Sequence, residues 1–349
     1  MKFPTTCFII LLFPLLPTLI HCWLPGVNLG GLFIIESRMM QDAWNRTGCA
    51  DKKSEFDCVL KLGQPAANAI SSPGPNTIRI PLGYWMLEAL VYKDSGHFPQ
   101  GGFPYPVKVC EWAKNAGIYR SKPSQNSSRQ APASMHQDFQ YERAYKLLEW
   151  MIKNRAHEPI PVQEQPDTKV PSHRILAVEK SLNVDAGKYL HIQMMNEKWG
   201  GGNPNASLEE LYYAFYGDHH CVKWTPNVPV SKDGYMRHSC TNSRAGNWQV
   251  VVGEWSLSVN DKAEWGAEFG LESPGAKEWY RGWCAAQVVS YEKNEGWVFW
   301  NWKVDWIGGR NDWRWGYKSA VEAGVIPKDP GEAYKMGACA GFDNVNTLR

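Results

Sequence analysis

The 349-residue chain has almost no surplus of charge of either sign. Thirty-seven Lys and Arg face thirty-five Asp and Glu, a formal net charge of +2. Binding a phosphate backbone needs a basic excess gathered on one face, so a nucleic-acid partner is not expected. No C-x-x-C pair occurs, which removes the usual zinc-knuckle spacing. After Ile35 no apolar run is long enough to span a bilayer. No repeat of the solenoid type is visible, and Gly200-Gly-Gly202 lacks the phosphate-loop pattern, so it reads as a turn.

What is abundant is aromatic surface. Eighteen Trp, fifteen Tyr and twelve Phe exceed what a core of this size normally uses. With 44% hydrophobic and 21% charged residues, the chain has enough apolar area to offset its ordering entropy, which excludes a disordered protein.

The amino terminus reads as a targeting signal. Phe3 to Ile35 carry no Asp, Glu, Lys or Arg, and Lys2 precedes them. The apolar core from Cys7 to Ile20 is short and broken by Pro14 and Pro17, which suits a cleaved secretory leader better than a spanning helix. Residues 1–22 are therefore assigned to a signal peptide, with cleavage near His21 to Trp23, and 23–349 to one domain. A retained signal anchor is the rival. Secretion to the cell exterior or wall follows as the expectation, with no membrane association after leader removal and a monomeric state.

Beyond the leader lie Cys49, Cys58, Cys110, Cys221, Cys240, Cys284 and Cys339, which suits an oxidising compartment. An odd number leaves at least one thiol unpaired within the chain. Cys49 and Cys58 flank a short polar loop and are assigned to each other; Cys240 with Cys339 is the second pairing expected. Asn45-Arg-Thr47, Asn126-Ser-Ser128 and Asn205-Ala-Ser207 are glycosylation sequons, informative because the chain reads as secreted.

Short strand-like runs alternate with helix-like segments, which indicates an α/β chain with parallel pairing. Strands are expected at 27–35, 77–83, 190–195, 212–217, 249–254 and 296–303. Helices are expected at 106–115, 141–153, 171–182, 274–291 and 317–323, three of them opening on proline as the first turn prefers. The stretches between Tyr119 and Phe139 and between Arg155 and Val170 hold at most a very short strand. Six convincing strands are thus counted where a closed barrel needs eight.

Val251-Val-Gly-Glu254-Trp255 delivers a carboxylate at a strand end beside an indole. Glycoside hydrolysis needs two carboxyl groups flanking the scissile bond, and sugar C–H faces pack on indole rings. A lone strand-end Glu is more often simply solvated. Four segments in order raise the reading: Gly26-Val-Asn-Leu-Gly-Gly-Leu-Phe-Ile-Ile-Glu36, Thr77-Ile-Arg79-Ile-Pro-Leu-Gly-Tyr-Trp85, Gly253-Glu254-Trp255 and Trp297-Val-Phe-Trp300-Asn-Trp302-Lys303. With the tail from Trp313 to Pro327, they make the chain resemble the secreted fungal β-glucanases of glycoside hydrolase family 5, from about Leu24 to Phe342.

The resemblance implies a (β/α)8 barrel, a β-glucan substrate, no cofactor or metal, and a retaining mechanism. It makes Glu254 the nucleophile at the end of the seventh strand. It makes Arg79 the arginine that keeps that carboxylate ionised from a neighbouring strand, since an adjacent cation lowers a carboxyl pKa. Glu36 matches an acid that binds hydroxyls of the terminal sugar, and His219 the histidine of a His-x-Tyr pair. Trp300 and Trp302, on one face of the eighth strand by period two, are candidate sugar platforms. Plainer readings stand beside each: any barrel carboxylate for Arg79, a solvated loop acid for Glu36, ordinary core for the two Trp. A metal site from Asp218, His219 and His220 is disfavoured because adjacent strand residues face opposite ways.

The pattern also breaks. The family's acid/base sits in Asn-Glu-Pro closing the fourth strand, whereas the chain has His157-Glu158-Pro159, 96 positions before Glu254. Glu158 is preferred over Glu197 of Met195-Asn-Glu-Lys198, which ends a later strand. Asp-Leu-His-Gly, which ends the family's third strand, has no counterpart, and Cys221 replaces the tyrosine of His-x-Tyr. The barrel is therefore expected to have strands three and four shortened or lost. Two functions remain: a working β-1,3- or β-1,6-glucanase, with a slight lean to endo-β-1,6 action, or an impaired chain, either a relative that at most binds glucan or the product of an imperfect gene model.

Overall fold

A computed structural model describes residues 24–28, 41–46, 48–52, 58, 61, 77–79, 86–91, 100–101, 103–115, 119–121, 141–153, 162–164, 177–184, 192–195, 214–219, 222, 225, 227–241, 250–264, 266–293, 296–304 and 312–342. In chain order the elements are β1 (Leu24–Asn28), α1 (Gln41–Arg46), β2 (Thr77–Arg79), a 3-10 turn (Glu88–Leu90), α2 (Pro104–Asn115), β3 (Tyr119–Ser121), α3 (Tyr141–Lys153), β4 (Val162–Glu164), β5 (Ile192–Met195), β6 (Ala214–His219), α4 (Lys232–Thr241), β7 (Val250–Trp255), α5 (Ala276–Tyr291), β8 (Gly296–Phe299), α6 (Tyr317–Glu322) and α7 (Glu332–Lys335). No helix among the described residues is long and apolar enough to cross a membrane.

The eight strands form one sheet in the order β3-β2-β1-β8-β7-β6-β5-β4. Every pair is parallel, and β1 lies against β8 through Leu24↔Gly296 to Val27↔Phe299. Joining the first strand to the last is the closure of a (β/α)8 barrel. The strand order ends on β3 and β4, which do not pair among the described residues. Both expected gaps thus hold a strand, three residues long in each case. Strand β2 is likewise three residues long.

Element boundaries follow from local chemistry. The expected helix at 141–153 is α3 itself, burying Leu147 and Met151 one turn apart. The expected helix at 274–291 starts two residues late, because Gly275 takes φ 70° at the N-cap and leaves Pro274 outside the first turn. Helix α4 was not anticipated. Its buried face is Gly234, Tyr235, Ser239 and Cys240, of which Tyr235 and Cys240 alone are apolar, so no apolar period announces it. It is held instead by the Cys240–Cys339 disulfide, a Trp283 Nε1 donation to Ser239 Oγ (2.9 Å) and stacking of Tyr235 on Trp283.

Both expected disulfides are present. Cys49–Cys58 closes a 9-residue separation and Cys240–Cys339 one of 99. On the chain-entropy account these remove about 2.6 and about 4.7 kcal/mol of freedom from the unfolded state. Cys284 is a free cysteine; it is buried on α5, and desolvation pushes its thiol up to about 12.

Candidate active site

The end of β7 carries one more residue than either neighbour. Against β6 the register runs Asp218↔Val252 and then His219↔Glu254, and against β8 it runs Val252↔Trp297 and then Trp255↔Phe299. The extra residue falls at Gly253 and Glu254, a β-bulge shared with both flanking strands. Bulges re-aim side chains and are common beside active sites.

The consequence is visible in which way the neighbours point. The Trp255 ring packs edge-on against Tyr291 of α5 (5.5 Å), Trp297 (5.3 Å) and Phe299 (4.9 Å). Trp297 and Phe299 in turn meet Tyr317 of α6. Trp255, Trp297 and Phe299 therefore face the helix layer, together with buried Val252 three residues earlier. Without a bulge, residues three apart on a strand would lie on opposite faces. The inserted position lets Val252 and Trp255 share the helix side and leaves half-buried Glu254 on the barrel side.

The loop after Glu254 is clamped from behind. Leu257 donates its N–H to the carbonyl of Arg314 (3.0 Å), and Trp300 donates to the carbonyl of Trp255 (2.8 Å), which extends the β7–β8 ladder past both strand ends. The Arg314 side chain is wholly buried. Its guanidinium donates to Tyr280 Oη (3.1 Å), to Asp312 Oδ1 (3.2 Å) and to the carbonyls of Glu264 and Phe269, and lies over the Trp313 ring at 4.5 Å. Ser258 Oγ donates to buried Glu264 Oε1 (2.5 Å) within the same loop. Burial pushes the Tyr280 phenol up to about 12, so it stays protonated and donates to Phe269 O (3.1 Å) while accepting from Arg314. Sequence reading missed this hub. Its only signal was an arginine enclosed in Trp313-Arg-Trp315, quoted for likeness and not for chemistry.

The remaining candidates are placed unevenly. His219 ends β6 in register with Glu254, so the two positions are brought together. Arg79 ends β2, in register with Asn28 of β1 and Ser121 of β3. The order β2-β1-β8-β7 puts two strands between Arg79 and Glu254, so the expected neighbouring strand is corrected: any approach has to cross the barrel. Glu36 and Glu158 lie outside the described residues, as do Glu197, Asn196 and Cys221.

Trp300 and Trp302 also need correction. Strand β8 stops at Phe299, so they lie past the ladder and period two does not relate them. Trp300 packs edge-on at 4.8 Å against Trp315, whereas Trp302 stacks on Tyr317 at 6.0 Å beside the main core. The carbonyls of Asn301 and Trp302 accept from Tyr317 N (2.9 Å) and Lys318 N (3.0 Å), which satisfies two N–H groups at the start of α6. Both rings remain half-buried.

Eight parallel strands with β1 joined to β8, and a carboxylate turned inward at the carboxyl end of β7, are the frame of a barrel hydrolase. Comparison with known proteins makes this specific. The fold is similar to a rutinosidase from Aspergillus niger, with a TM-score of 0.59 at 14% identity over 87% of this chain and 98% of that one. It is also similar to a glycoside hydrolase family 5 enzyme from Prevotella bryantii B14, with a TM-score of 0.51 at 12% identity over 90% and 96%. No family model matches the sequence. A glucan endo-1,6-beta-glucosidase B from Emericella nidulans is 43% identical over 91% of this chain and 90% of its own length. The chain belongs to that family of fungal glucan endo-1,6-β-glucosidases and is thereby an O-glycosyl hydrolase. The alignment occupies 372 positions, more than the 349 residues of the chain, so it contains gaps on this chain's side.

Proposed function

We propose that the chain is a secreted, monomeric hydrolase of β-1,6-linked glucan that works with retention of configuration. Glu254 attacks the anomeric carbon while the Glu158 carboxyl gives its proton to the departing glycosidic oxygen. A glycosyl ester on Glu254 results. Water deprotonated by the Glu158 carboxylate then attacks the same carbon, frees Glu254 and returns the proton to Glu158. Arg79 and His219 bias Glu254 toward its ionised form, and Glu36, Trp300 and Trp302 hold the sugar. The apolar leader and the two disulfides support passage through an oxidising secretory route.

The bulge carries this reading. It turns Glu254 to the barrel side while Trp255 stays locked in the helix layer, an arrangement a purely structural Glu would not require. The test is release of reducing ends from β-1,6-glucan by wild type, Glu254→Gln and Glu158→Gln, with product anomers read by NMR. Turnover with retention, lost in both variants, supports the proposal. Inverted product, or undiminished turnover in Glu254→Gln, overturns it.

A second reading has its own support. The segments beside β3 and β4, which end the strand order, lack Asp-Leu-His-Gly and Asn-Glu-Pro. Retention needs the two carboxyl groups about 5–5.5 Å apart. An acid displaced by about 1 Å loses roughly a hundredfold in rate. Retained glucan binding without turnover would favour this impaired form.

A further inference from the structure

We propose that Asn45 is an attachment site for an N-linked glycan. The inference stands on its sequon and on how α1 presents it, and it is independent of the catalytic reading. Helix α1 buries Trp44, 2% exposed, into a small cluster with Cys49 and Cys58, and the next residue, Asn45, turns to solvent. Among the described residues its side-chain amide has no partner, while its backbone carbonyl accepts from Gly48 N at 3.1 Å.

The ground beneath it is fixed. Gly48 takes φ 83°, a left-handed turn that ends the helix. Lys61 Nζ donates to Gly48 O (2.8 Å) and Asp51 Oδ1 (2.6 Å), Trp44 Nε1 donates to Lys52 O (3.2 Å), and the Cys49–Cys58 bridge closes the loop. A glycan at Asn45 therefore leaves the surface without displacing a side-chain contact. The same bridge marks the oxidising compartment in which the transfer takes place.

The donor is an oligosaccharide on a lipid pyrophosphate. The Asn45 amide nitrogen bonds to the sugar's C1, the C1–oxygen bond to the pyrophosphate breaks, the lipid pyrophosphate departs, and one amide proton goes to base. Thr47 supplies the hydroxyl that the sequon needs at that position.

The experiment expresses the full-length chain with its own leader in a yeast secretory host. Protein from cells and medium is digested after peptide N-glycosidase treatment in heavy-oxygen water. The expected peptide carries residue 45 as heavy-oxygen aspartate, a product that only a glycosylated asparagine gives with the enzyme. Asn45→Gln and Thr47→Ala each abolish that signal, and Thr47→Ser retains it. Because transfer precedes folding, these outcomes do not depend on a stable variant. Asn45 recovered unmodified from both fractions, or a signal that survives Thr47→Ala, overturns the assignment.

Discussion

Arg314→Met tests whether the loop behind the proposed nucleophile is held by one buried cation. In the wild type the guanidinium bonds one phenol, one carboxylate and two carbonyls, and Asp312 beside it is 4% exposed. Removing one partner of a buried ion pair costs about 3–5 kcal/mol, because the other charge is left without compensation. Unmet carbonyls add to this, but within one network the terms do not sum. A total of about 4 kcal/mol is expected, equivalent to roughly 6 °C in the melting midpoint for a chain of this length. Arg314→Lys keeps the charge but cannot reach all four acceptors, and should lose about half as much. Removing the stranded charge as well, in Arg314→Met with Asp312→Asn, should recover at least about 1.5 kcal/mol as a coupling term. The assay is chemical and thermal unfolding followed by tryptophan fluorescence. A single-variant loss under about 1 kcal/mol, or strict additivity in the double variant, would refute the hub.

Other perturbations probe other parts of the fold. Deleting Gly253 removes the bulge and drives Glu254 toward the helix layer, so β-glucan turnover should fall more than about a thousandfold; activity near wild type would mean that the bulge does not aim the carboxylate. Replacing Cys240 and Cys339 together with Ser should cost about 4.7 kcal/mol, against about 2.6 kcal/mol for the Cys49 and Cys58 pair, on paired urea titrations; a larger loss from the short loop would contradict the entropic ordering. Burial pushes the Glu292 carboxyl up, and the Trp297 indole donating to it at 2.8 Å only partly offsets this. The folded state thus holds a proton that the unfolded state has released, so stability from this group falls as pH rises from the ordinary carboxylate range through the raised folded value. Glu292→Gln should flatten that slope, and an unchanged stability–pH curve would be the failing result.

The sequence disclosed most where chemistry is periodic or repetitive. Helix α3 matched its expected span because Leu147 and Met151 repeat on one face, and Cys49–Cys58 followed from the short polar loop between its cysteines, whereas nothing in the sequence singled out Cys240–Cys339. Strand β8 was overread because apolar residues continue past the ladder. Trp300 and Trp302 look like an eighth strand continuing, yet the chain leaves β8 at Phe299 and spends those residues covering Trp315 and Tyr317. The bulge at Gly253 was hidden because it exists only relative to two partners, and one strand read alone has no register. Arg314 was hidden because a buried arginine is explained by its acceptors, four of them 2 to 50 positions away.

These features separate ancestry from activity. The half of the barrel from β6 to α7 contains the bulge, the Arg314 hub, the long disulfide and two aromatic groups, Phe269–Tyr235–Trp283 and Trp255–Phe299–Tyr317. Those contacts hold Glu254 at its strand end whether or not a proton donor stands opposite. The donor depends on β4, which contributes three ladder positions to β5. On the proposed mechanism, a displacement of Glu158 by about 1 Å costs roughly a hundredfold in rate. Unfolding assays therefore report on the half from β6 to α7. Turnover of β-1,6-glucan, measured beside glucan binding on the same folded preparation, is the observation that reads the proposed proton donor.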